Sequence, residues 1–289
     1  MDNALSTWLQ LREPADAAAR SVELASAMAA ALPTDEPVRV LDLACGTGSN
    51  LRYLAPRLPP RQRWLVVDRD RVVLDRLPAL TSAWGAASGY DVGVDSTGCL
   101  IRRDPFECHV EARCLDLGLL DDAGIFAGRH LVTASALLDL VSDDWLSALA
   151  ARCRAEGAAV LFAITYDGRS SCSPADPEDA MILELFNRHQ KIDKGLGGPA
   201  AGPDGAASAA RAFAGAGYRI RVEPSEWVLG PAGHAIQRTL IDGWAEAATE
   251  IAPEDGPTVA RWHARRIGHV DAGRSRLIVG HVDMAAWLS

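Results

Sequence analysis

Several features that would assign this chain to a familiar class are missing. No apolar run reaches the ~18 residues a membrane helix needs. The opening stretch MDNALSTWLQLREPADA has no basic segment followed by an apolar one, so no secretory signal is expected. The six cysteines, Cys45, Cys99, Cys108, Cys114, Cys153 and Cys172, contain no CxxC pair and no zinc-like spacing. They read as reduced thiols of a cytoplasmic protein, which removes disulfide-scaffold and metal-site readings. Basic character is sparse as well. The densest stretch, RWHARR at 261–266, reads as a solvated helix face, and the net charge is −9. A phosphate-tracking surface is not expected, so neither nucleic acid nor a membrane is an expected partner. There is no internal repeat and no low-complexity linker.

What is present is the composition of an ordinary globular protein. The 289 residues are 48% hydrophobic and 23% charged, enough for a sizeable core. Apolar strands alternate with helical patterns. Buried strands are expected at 38–44, 64–67, 108–115, 131–134 and 158–165, with two more at 218–229 and 276–283. Helices are expected at 13–32, 49–58, 70–80, after Ser142 as N-cap to Gly157, and after Asp176-Pro177 to Gln190. Two more helices are expected at 235–250 and 256–268, and a hairpin insertion at 90–104. This alternation predicts an α/β fold, a doubly wound, seven-stranded, mostly parallel sheet with helical insertions.

The stretch VRVLDLACGTGSN, 38–50, runs from a strand directly into Gly-x-Gly. Gly46 and Gly48 permit a tight turn and close approach of a ligand to backbone. The helix beginning near Ser49 offers free N–H groups. A dinucleotide fingerprint would place a third small residue where Leu51 stands, which disfavours NAD. Asp42, four residues before Gly46, would repel a pyrophosphate and welcome an ammonium or sulfonium group.

DLACGTG resembles motif I of the class I S-adenosylmethionine-dependent methyltransferases. An acid ends the second strand in LVVDRD, Asp68, and another follows the third in CLDLG, Asp116. The resemblance spans roughly residues 36–166 and includes the order of the motifs. It implies S-adenosyl-L-methionine as cofactor. Asp42, Ala44, Gly46 and Gly48 would form the turn around it, Asp68 would accept from the ribose hydroxyls, and Arg69 would lie along the adenine. Asp116 would accept from the adenine amino group between Leu115 and Leu117. The segment ASALLDLVSDDW, with Ser135, would line the methionine part and the transfer site. Arg20, on the N-terminal helix, is a candidate for the cofactor carboxylate.

The acceptor side is expected outside this core. Asp139 past the fourth strand, Tyr166 at the end of the fifth and His189 are the candidate catalytic residues. FNRHQKIDKGLGGP, 186–199, gathers Asn187, His189, Gln190, Asp193 and Lys194 on a loop able to act as a lid, with Asn187, His189 and Lys194 as the candidate substrate-binding residues. Trp227, Trp262 and Trp287 are expected to pack core or insertion. The plan is one methyltransferase domain: an N-terminal cap at 1–35, a cofactor-binding core at 36–166, a substrate or lid segment at 167–216, and the last two strands at 217–289 with a helical insertion at about 231–273. The helices of that insertion offer a homodimer interface. The expected activity is methyl transfer to an O or N centre of a small-molecule acceptor. Its alternatives are a non-catalytic S-adenosylmethionine-binding sensor or partner subunit and, more remotely, an NAD-dependent enzyme.

Overall fold

The computed structural model describes residues 2–118 and 120–288. Its centre is a mixed sheet built on β1 (Val38–Leu43), β2 (Arg61–Asp68), β5 (Phe106–Cys114), β6 (Leu131–Ser135) and β7 (Ala159–Ser173), all parallel. The long strand β10 (Arg276–Trp287) pairs antiparallel with β7, with β8 (Arg219–Pro224) and with β9 (Trp227–Leu229). The hairpin β3 (Asp91–Val94) and β4 (Gly98–Arg103) extends the other edge antiparallel to β5. The path is β3-β4-β5-β2-β1-β6-β7-β10-β8, with β9 branching from β10. The doubly wound, mostly parallel sheet expected from the sequence is therefore the sheet observed. It has ten strands among the described residues rather than seven, because the edge hairpin joins the sheet and 218–229 divides in two. The chain winds outward from β1 in one direction and then from β6 in the other. Ligands of such sheets lie beyond the strand ends at that switch point.

β1 shows why these residues make this sheet. Val38 and Val40 face one layer and Leu41 and Leu43 the other, the period-2 alternation of a strand covered on both sides. On the first side lie α2 (Val22–Ala31), α3 (Ser49–Leu54) and α5 (Leu77–Ser88), through Leu24, Met28, Leu51, Leu54 and Leu77. On the second lie α6 (Asp143–Glu156) and α8 (Gly205–Gly215), through Trp145, Leu149 and Phe213. A third apolar cluster joins α7 (Asp179–Gln190), α9 (His234–Ile251) and α10 (Gly256–Asp271) over the far ends of β7 and β10. The short α4 (Arg71–Leu74) follows β2, and α1 (Asp2–Ala19) lies across the top of the sheet, in contact with α3, α4, α9 and β9.

Caps explain the boundaries. Ser142 Oγ accepts from Trp145 N–H at 3.1 Å, and Gly157 closes α6 in the left-handed region, as read from the sequence. The helix expected over 13–32 is instead two helices. Ser21 starts α2 by accepting from Leu24 N–H at 3.2 Å, while its own N–H is taken by Asp283 Oδ2 at 2.8 Å. Asp176 stands just before α7, its Oδ1 accepting from Glu178 N–H at 3.2 Å and its carbonyl from Asp179 N–H at 3.1 Å while Arg265 binds both carboxylate oxygens; the helix itself begins at Asp179. The alanine-rich α8 went unread behind the Gly/Pro loop. The strand expected over 218–229 breaks at Ser225, whose N–H bonds His281 O at 2.8 Å. Register shifts in β10 around Gly280 and Asp283, facing a left-handed Ile164 in β7, bend the pair next to the sheet's switch point. No described helix is long and apolar enough to cross a membrane.

Candidate functional site

The turn after β1 is wound by left-handed backbone at Ala44, Gly46 and Gly48, with φ of 51°, 54° and 84°. It is knitted to the neighbouring strand end: Cys45 N–H donates to Val67 O at 3.0 Å and Gly46 N–H to Asp68 Oδ2 at 2.8 Å. Asp70 N–H donates to Asp68 Oδ1 at 2.9 Å. Two backbone donors thus fix the Asp68 carboxylate. Burial still pushes its pKa up, against those N–H bonds. A Cβ on Gly46 would meet Leu9 Cδ1 at 3.0 Å in a conformation that L side chains avoid, so the turn and α1 are fitted closely together.

Above this turn is a cavity of about 350 Å³. Among the expected cofactor residues, Ala44, Gly46, Asp68, Arg69, Leu117 and Ser135 line it. Asp42 and Gly48 do not. Asp42 is fully buried one layer behind, where Asn50 Nδ2 donates to Asp42 Oδ1 at 2.7 Å and Asn50 itself lines the cavity. Thr133 Oγ1 accepts from the same Asn50 amide at 3.1 Å and donates to Leu161 O at 2.6 Å. Asp42 Oδ2 and Asn50 Oδ1 have no hydrogen-bond partner among the described residues. Desolvation raises Asp42 to about 7 against the Asn50 hydrogen bond and the Arg20 charge. Gly48 turns the chain into α3 and packs on Leu77. Leu115 and Asp116 lie off the wall; Asp116 is exposed and accepts from Gly118 N–H at 2.9 Å, a local turn that holds it there. Cys45 also lines the cavity, but burial holds its thiol protonated, which suits a packing residue rather than a nucleophile.

The N-terminal segment expected as a cap, WLQLREPADAAAR at 8–20, does form the roof, but the sequence alone singled out only Arg20 from it. Leu5, Trp8, Leu9, Arg12 and Asp16 of α1 face the cavity at helical spacing. That periodicity was available in residues 5–16, but the expected helix began at Glu13. Arg12 bonds Asp16 at 2.9 Å and lies over the Trp227 ring at 5.0 Å. Arg52 of α3 binds Glu13 at 2.6 Å and Thr47 O at 2.7 Å, tying the roof to the glycine turn. Arg20 lies in an adjoining cavity of about 400 Å³ that shares Asp16, Ser49 and Ser135 with the first. It is only 6% exposed, and its guanidinium lies 4.1 Å from the Tyr53 ring centroid. The guanidinium makes no hydrogen bond among the described residues and faces the charges of Asp283, Asp42 and Asp16.

Asp139 and Tyr166 come together in a third cavity of about 280 Å³, which shares Trp8, Arg12, Ala136 and Leu140 with the first. Gln190 of the 186–199 segment also lines it, while the candidate substrate-binding residues are held elsewhere. Asn187 accepts from Tyr166 OH at 2.8 Å and donates to Gly168 O, so it braces the ring from behind. His189 pairs with Glu250 at 2.9 Å, and Lys194 Nζ donates to the His189 carbonyl at 3.3 Å. Neither lines any of these three cavities. From the Gly/Pro loop it is the apolar Leu196 that reaches the first one. Trp227, expected in the core, is buried and also lines the third cavity, its Nε1–H donating to Asp16 at 3.0 Å.

No protein-family model matches the chain, and no curated protein matches it. Solved structures do. A geranyl diphosphate methyltransferase in complex with GPP and sinefungin is similar at 14% identity and a TM-score of 0.46, over 92% of this chain and 77% of that one. A cyclopropane synthase from Mycobacterium tuberculosis is similar at 12% identity and 0.44, over 92% and 82%. A SAM-dependent methyltransferase from Thiobacillus denitrificans, in complex with S-adenosyl-L-homocysteine, is similar at 14% identity and 0.43, over 97% and 98%.

Proposed function

We propose that this chain is an S-adenosylmethionine-dependent methyltransferase acting on an O or N centre of a small molecule. The observation that carries the reading is the Asp68 carboxylate, fixed by the N–H groups of Gly46 and Asp70 at the rim of a cavity beyond the switch point of the sheet. The residues there suit the cofactor. Asp68 is a double acceptor for a vicinal diol. The bare backbone at Gly46 leaves room for contact. The Arg20 guanidinium, buried and without a hydrogen-bond partner among the described residues, suits a carboxylate, and the unpaired oxygen of Asp42 behind Asn50 favours a positive charge nearby.

When bound, S-adenosylmethionine supplies a methyl carbon activated by its sulfonium. The chain has to align an acceptor and keep water out. Alignment falls to the wall shared by the first and third cavities, Ala136 and Leu140, and exclusion of water to Trp8 and Leu9 of α1. The acceptor-sized third cavity is what favours an enzyme over a binding-only protein.

Calorimetric titration with S-adenosylmethionine and S-adenosylhomocysteine tests the cofactor. Micromolar binding, about −8 kcal/mol, is expected; absence of binding to either, with NADH bound instead, would overturn the reading. Release of S-adenosylhomocysteine over an acceptor panel separates the enzyme from a sensor.

A further inference from the structure

The third cavity has walls of a particular kind. Trp8, Phe186, Trp227 and Trp244 line it beside aliphatic side chains; the Tyr166 ring stands edge-on to Phe186 and to His281, and His281 lies tilted against Trp227 with centroids 4.7 Å apart. Tyr166 OH is occupied by Asn187. Two buried polar atoms of the lining residues have no hydrogen-bond partner among the described residues: Asp139 Oδ1 and His281 Nδ1. Asp139 is only 8% exposed. An orphaned buried acceptor costs free energy unless a donor reaches it; the backbone N–H groups of Asp139 and Tyr166 hold the carboxyl's pKa down but leave Oδ1 without a hydrogen bond among the described residues.

The aromatic walls suggest two occupants, a cation held over the rings or a flat ring stacked among them. The first place is already filled. The Arg12 guanidinium lies 5.8 Å from the Trp8 centroid and 5.0 Å from that of Trp227. A second cation would meet it at close range, and an anion would meet Asp139. His281 is driven by burial to about 3 and stays an uncharged imidazole, so it adds no charge of its own.

Building on the methyltransferase reading, we propose that this cavity takes a flat, uncharged aromatic acceptor carrying a phenol-type hydroxyl, with that hydroxyl donating to Asp139. Transfer then balances as follows. The hydroxyl proton passes to the Asp139 carboxylate and an oxygen lone pair forms the new bond to the methyl carbon. The carbon–sulfur bond breaks, and its electron pair stays on sulfur as a neutral thioether. Burial places Asp139 at about 6, within range of such a role near neutral pH. Backbone N–H groups of Asp139 and Tyr166 and the charges of Arg12 and Lys194 oppose a further rise.

The test is a binding comparison on protein saturated with S-adenosylhomocysteine, read by calorimetry and by quenching of tryptophan fluorescence. The probes are naphthol, its methyl ether, the saturated alcohol decalol, and tetramethylammonium. Naphthol is expected to bind at least about tenfold more tightly than its ether, which cannot donate, and than decalol, which cannot stack. Leu240→Trp, which fills the cavity from α9, is expected to abolish naphthol binding and leave the nucleoside bound. Asp139→Ala is expected to erase the preference for naphthol over its ether. Equal affinity for the three neutral probes, or binding of tetramethylammonium in place of naphthol, would overturn the acceptor chemistry while leaving the cofactor reading intact. If the nucleoside itself fails to bind, the cofactor reading falls, and the same titration without it still decides what the cavity accepts.

Discussion

Replacing Asp42 by Asn should make the empty protein more stable and the cofactor weaker. Burial lifts Asp42 from 3.8 to about 7, and at 1.36 kcal/mol per unit this gap amounts to about 4 kcal/mol against the ionised carboxylate in the fold. The folded value lies above the unfolded one, so the native state holds the proton more tightly. Wild-type stability from this group therefore rises as pH falls from above 7 toward 4. An amide at this position keeps an acceptor for Asn50 Nδ2 and carries no charge. After its own hydrogen-bonding needs, a gain of about 1–3 kcal/mol is expected at about pH 8. That gain should shrink by about 2 kcal/mol at about pH 5.5, where the wild-type group is protonated only in the native state. Urea denaturation followed by tryptophan fluorescence at both pH values measures it. Titration with S-adenosylhomocysteine at about pH 8 should show at least about tenfold weaker binding in the variant, because the ligand's ammonium loses its counter-charge. A stability difference that does not change with pH, or an unchanged affinity, would refute the reasoning.

Three further outcomes are expected. Asp68→Ala should raise the Kd for S-adenosylhomocysteine at least about a hundredfold, the loss of two hydroxyl bonds to a charged acceptor, with circular dichroism showing the fold retained; unchanged affinity in calorimetry would sink the ribose assignment. Arg20→Met should weaken S-adenosylmethionine by about tenfold or more through loss of a charge-assisted pair, yet leave the affinity for a carboxylate-free nucleoside such as methylthioadenosine unaltered; equal losses for both would show a packing role against Tyr53 instead. Ser142→Ala removes the cap that accepts from Trp145 N–H and should lower stability by about 1 kcal/mol in urea denaturation. No measurable loss would mean that the helix start is held by packing alone.

The parts of this protein legible in its sequence are those with a local physical code. A two-sided buried strand reads as a continuous apolar run, and positive φ in the turn after it requires residues such as Gly46 and Gly48. Ser142 and Gly157 mark a helix by side-chain and backbone capping. Hence β1, β2, β6, α6 and the placement of Asp68 beside the turn followed from the chain alone, as did the doubly wound sheet. Tertiary structure decided the rest. Asp42 looked like a residue facing a ligand, and only the packing of Asn50 over it shows that it stands one layer back. His189 and Lys194 carry suitable chemistry in a suitable segment, but the end of α7 turns them to the surface, where Glu250 takes the histidine. The third cavity was legible only in part: Asp139 and Tyr166 stood out at strand ends, but Trp8, Trp227, Trp244 and His281 join them from segments spread over nearly the whole chain. No periodicity or spacing links them; they meet because β10 returns antiparallel between β7 and β8 and α1 crosses over its end. Side chains so far apart in sequence acquire a common wall only through the topology that brings their backbones together.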